Sequence, residues 1–104
     1  MNSMVKQRKP RDPSWMPANY TADQVIALQA LQKGEADAGQ QGMVLDWLLN
    51  HACGIRELSF RSDADGGARE TAFAEGRRFV GLQTAKLLSM SGAMIAEIRK
   101  KDVR

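Results

Sequence analysis

Residues 68–90 read ARETAFAEGRRFVGLQTAKLLSM, and this stretch decides the fold. It has no proline and is rich in helix formers, so it predicts one long helix. Apolar residues recur at Phe73, Val80 and Leu87, and again at Ala72, Phe79 and Leu82, which is helical spacing on two adjoining stripes. A helix apolar over so wide an arc must be covered on more than one side. Glu75, Arg77 and Arg78 sit inside that arc. Gly76 and Gly81 each cost roughly 1 kcal/mol against alanine in a helix, which suggests close approach of another backbone. The rest of the chain is expected to pack on this helix.

Working outward, Ser62 to Gly67 (SDADGG) is a strong breaker, and Asp63 or Asp65 is placed to cap the long helix. Asp63-Ala64-Asp65-Gly66 resembles the opening of a calcium loop but lacks the later ligands and the glutamate at the twelfth position. Gly66-Gly67 is not part of a phosphate-loop motif. Ile55 to Gly67 reads as one helical turn followed by a loop, with no second strand for Leu58 to Arg61 to pair with.

Glu35 to Ala52 predicts a second helix, with Asp37 and Gln40 as its cap and Val44, Leu45, Leu48, Leu49 and Ala52 as its core stripe. Gly54 ends it in the left-handed cap position. Thr21 and Gln24 form a capping box for a first helix of about three turns that Gly34 stops. Ser91 and Gly92 break the chain after the long helix. Ala93 to Lys101 then forms a last helix with Met94, Ile95 and Ile98 apolar and a basic end suited to the macrodipole.

Residues 1–20 hold all three prolines and read as an extended arm. Lys6, Arg8, Lys9 and Arg11 outweigh Asp12 there, so the whole net charge of +3 lies in the arm, and residues 21–104 balance 11 basic against 11 acidic side chains. Trp15, Met16 and Tyr20 follow the cations and call for cover from the domain or from a partner. The expected architecture is therefore all-α, a small bundle of about four helices over residues 21–104 with an extended basic and aromatic arm at 1–20. Its expected core is Val44, Leu45, Leu48, Phe60, Phe73, Phe79, Val80, Leu82 and Leu87.

Several function classes find no support. The longest apolar runs are broken by a charge and too short for a membrane span, and the N-terminus lacks the apolar segment of a secretory signal. A single Cys53 beside His51 makes neither a disulfide nor a metal site. No nucleophile elbow or metal cluster points to an enzyme, and no cofactor is implied.

The run Cys53-Gly54-Ile55 to Ser59-Phe60, followed by Thr71-Ala72-Phe73-x-Glu75-Gly76-Arg77-Arg78-x-Val80-Gly81-Leu82, resembles a small, uncharacterised protein family of tailed phages and prophages. Its type member comes from a short-tailed Bordetella phage. The likeness covers about residues 36–90 and leaves out the arm and the tail. It implies a phage origin and a protein made in the host cytoplasm for the virion. It implies no activity and no catalytic residues.

Within that run, Glu75, Arg77 and Arg78 need partners on a helix otherwise apolar. Arg56, Glu57 and the acids of the 55–67 loop are candidates, giving a polar lock between loop and helix. The functional expectation is a virion structural or interaction protein, portal- or tail-proximal or internal and ejection-related. It would act in several copies through contacts with other phage structural proteins. Lys6, Arg8, Lys9, Arg11, Trp15 and Tyr20 are the candidate partner-binding residues. The alternatives are a nucleic-acid-binding phage protein acting through the basic arm, and a soluble assembly factor absent from the mature particle.

Overall fold

The computed structural model describes residues 11–102. Four α-helices account for most of them, and there is no strand among the described residues. The helices are α1 (Ala22–Gln32), α2 (Ala38–Asp46), α3 (Gly67–Leu88) and α4 (Gly92–Asp102). The fold is all-α, as the periodicity predicts.

Local chemistry accounts for most boundaries. Thr21 Oγ1 accepts from the Gln24 amide at 3.2 Å, and the Gln24 side chain accepts from the Thr21 amide at 2.8 Å. Asp37 and Gln40 repeat the device at the start of α2, at 2.7 and 3.0 Å. Gly34 and Gly54 turn the chain at φ +74° and +63°, where a side chain would be strained. α2 does not run on as a regular helix. Residues Trp47–Ala52 widen into a π-helix, with the Cys53 amide reaching back to the Leu48 carbonyl at 2.8 Å. The expected cap of α3 is also corrected. Asp63–Asp65 form a 3₁₀ turn, and the N-cap of α3 is Gly66, at φ +101° and with no side chain to cap the helix.

α1 packs against α2, and the π-helical turn and the loop after it pack on α3. α3 and α4 meet at 97° across their short break, and α4 buries none of its residues. The molecule is long for its size, with extents of 70 × 32 × 21 Å and a radius of gyration of 18.8 Å. A compact chain of this length has a radius of gyration of about 13 Å.

The core is the main correction. Of the residues expected inside, Val44 alone is buried; Ala27 and Ala74 join it. Leu45, Leu48, Phe60 and Leu82 are exposed, and so are Phe73 (51%), Phe79 (62%), Val80 (56%) and Leu87 (64%). The reason lies in how α3 is turned. Its buried residues are Gly67, Ala74 and Gly81, seven apart, with Thr71, Arg78 and Ala85 half-buried on the same side. Small and polar residues face the chain, and the large apolar ones face away from it.

Gly81 shows why the inner face must be small. A methyl group there would overlap Ile55 Cγ2 and lie 2.6 Å from Cys53 Cβ. Gly81→Val should therefore lose about 2 kcal/mol or more of stability through overpacking. Urea denaturation followed by circular dichroism measures this, and a loss below about 0.5 kcal/mol would contradict the close approach.

Candidate interaction groove

The part of the arm within the described residues, 11–20, lies on the helical body. Prolines at 13 and 17 keep it from becoming a helix; the Met16 amide closes one turn on the Pro13 carbonyl at 3.0 Å, and its other polar groups look for partners outside the segment. The Arg11 guanidinium donates to the Leu58 and Phe60 carbonyls, each at 2.8 Å, and its amide donates to Asp65 Oδ1 at 3.1 Å. The Ser14 amide donates to Glu70 Oε1 at 2.6 Å. The Ser14 hydroxyl lies 2.9 Å from the Glu70 carbonyl oxygen. Arg61 Nη1 donates to the Asp12 carbonyl at 2.6 Å, and Trp47 Nε1 donates to the Asn19 carbonyl at 2.9 Å. Residues 11–20 thus form a strap across the loop and the start of α3.

The loop is tied to α3 by two neighbouring guanidinium groups. Arg77 Nη2 pairs with Glu57 Oε1 at 3.3 Å, and Arg78 Nε donates to the Ile55 carbonyl at 3.2 Å. Glu75 accepts from the Ser59 hydroxyl. Arg56, grouped with these residues in the sequence, is exposed. Arg61 takes a comparable place instead: it is 5% exposed, and its amide donates to Thr71 Oγ1 at 2.8 Å. Asp65 accepts from Arg11, and no group of three or more potential metal ligands stands together among the described residues.

Strap and helix leave an open groove of about 760 Å³ between them. Trp15, Tyr20 and Trp47 form one side; Phe73, Gly76 and Val80 of α3 form the other. Trp15 and Tyr20 remain exposed. Arg77 touches this groove and also a smaller polar hollow of about 210 Å³ beside it. The groove offers apolar area and ring faces. Its shape and apolar lining fit an apolar side chain or helix ridge.

The structure brings Trp15 and Tyr20 into one wall, and it spends Arg11 on the chain's own carbonyls. Lys6, Arg8 and Lys9 lie outside the described residues. Sequence reasoning missed Ser14, Glu70 and Arg61. The available signal was the strap itself, whose proline-fixed backbone had to borrow acceptors from elsewhere.

Ser14→Ala should lose about 1–2 kcal/mol, because it removes a buried hydroxyl beside Glu70. Arg61→Met should cost more, since it removes the guanidinium of a buried residue that ties the Asp12 carbonyl to the loop. Guanidinium titrations of the two variants give the order, and an Arg61→Met variant as stable as the parent would show that the strap adds nothing.

No family model, curated protein or solved structure matches this chain.

Proposed function

We propose that this chain is a bacteriophage virion structural or interaction protein, multi-copy in the particle and acting through protein–protein contacts. Its place is portal- or tail-proximal, or internal and ejection-related. The observation that carries the protein–protein part is the outward set of α3: Phe73, Phe79, Val80 and Leu87 are all more than half exposed on one helix. Monomeric proteins rarely show a contiguous apolar surface of this kind, and partner contact is its common meaning. The groove beside it adds two exposed aromatic rings, the residue type enriched at binding hot spots. The phage part is supported by the motif resemblance over residues 53–82.

No single helix among the described residues is long and apolar enough to cross a membrane. The basic end of α4, Arg99 to Lys101, and the cations of the arm favour a nucleic-acid contact as the second reading. Salt separates the two. A contact made by three or four arm cations should weaken tens- to hundredfold between 50 and 200 mM salt, whereas an apolar contact should hold.

Mass spectrometry of purified particles from the encoding phage or induced prophage tests the reading. The expected result is several copies per particle that remain after a 0.5 M salt wash. Absence from the particle, with the protein present in the lysate, would replace the virion component by an assembly factor.

A further inference from the structure

The outer face of α3 pairs compatible residues about Gly76. Three residues to either side stand Phe73 and Phe79, and four to either side Ala72 and Val80. Seven to either side stand Arg69 and Gln83. At 100° per residue all six lie within about 60° of the Gly76 direction, and all six are exposed. An antiparallel helix pair about a two-fold axis brings a residue n before the axis against the residue n after it, so Phe73 of one copy would meet Phe79 of the other and Ala72 would meet Val80, apolar against apolar.

Gly76 has no role within its own chain. A Cβ built there meets nothing within 4 Å, unlike one at Gly81. Its φ is not positive either, so no turn requires it. A helix interior that gives up the propensity of alanine for an unused gap is suited to the close passage of a second backbone.

The surface supplies the third observation. The chain exposes 8319 Å², where a folded monomer of 11.5 kDa exposes about 5,800 Å². Even when residues 1–10 and 103–104 are allowed the surface of a fully extended chain, roughly 1,000 Å² remains in excess. One partner of a standard interface contributes about 800 Å².

From these we infer that the chain forms an antiparallel homodimer in which two α3 helices cross at Gly76 on the two-fold axis. Phe79 of each copy enters the other's groove beside Phe73, and the exchange is reciprocal. The opposed helix dipoles favour this direction over a parallel one. The inference deepens the reading of the chain as a protein–protein component by naming its first partner as a second copy of itself.

The test uses the full chain. Sedimentation equilibrium should give a dimer. Gly76→Leu and Phe79→Glu should each raise the dissociation constant at least tenfold while the helical circular dichroism is kept. Gly76→Cys should form a covalent dimer on mild oxidation, because the two thiols meet on the axis. Leu87→Cys lies on the same face, but its two copies would sit about 33 Å apart in the antiparallel pair and should not cross-link. The parent, which carries Cys53, is the baseline. A monomer at 100 μM, or cross-linking at 87 and not at 76, overturns the inference. A monomer that is still present in particles would sink the dimer and spare the virion reading. A dimer absent from particles would do the reverse.

Discussion

The passage of Cys53 and Ile55 over Gly81 is the constraint on which the rest of this structure depends. Only glycine admits the two side chains at that distance. Ala74 and Gly67 continue the same small-residue line toward the start of α3. With no bulk between them, loop and helix lie close enough for Arg77 to reach Glu57, for Arg78 to reach the Ile55 carbonyl and for Thr71 to meet the Arg61 amide. The strap then lies on the loop through Arg11 and on α3 through Ser14. Close backbone approach therefore decides which side of α3 turns inward, and the large apolar residues are left on the other side.

That order explains what could be read from the sequence. The four helices and their capping boxes were legible, because a cap is a local matter of a Thr or Asp and a Gln three residues on. The long helix was legible from its periodicity. Its inner face was not. Phe73, Val80 and Leu87 recur at the spacing of a core stripe, and that spacing is the same whether the cover comes from the same chain or from another. The glycines held the missing information, since small residues at 67, 74 and 81 repeat with the same period and mark the side of closest approach. The groove was half legible. Trp15 and Tyr20 announced a need for cover, but the hydrogen bonds of Ser14, Asn19 and Arg61 that place them depend on contacts far apart in sequence.

An interior of small and polar residues has an energetic consequence. Each net hydrogen bond stabilises by about 0.5–1.5 kcal/mol, whereas full burial of one Phe or Leu contributes about 1.5–3 kcal/mol. The chain ties strap, loop and α3 together with hydrogen bonds and leaves much of its apolar area outside. The isolated chain is thus held in shape by directional contacts that specify geometry well and supply modest free energy. The larger hydrophobic term is withheld until something covers α3.

Folding and association are then linked. A partner that binds only the folded form raises its stability by an amount set by its concentration. When the partner is the chain itself, stability rises with the amount of protein made. The free chain at low concentration keeps its polar ties and exposes its apolar ridge, and in the proposed homodimer a higher concentration would cover that ridge. α4 stays outside this exchange. It leaves α3 at 97°, buries none of its residues and carries Met94, Ile95 and Ile98 exposed ahead of a basic end. A dimer joined at Gly76 about a two-fold axis therefore presents two such helices, related by that axis. In that proposed dimer one face of α3 would join the two copies, and the paired α4 helices would stay uncovered.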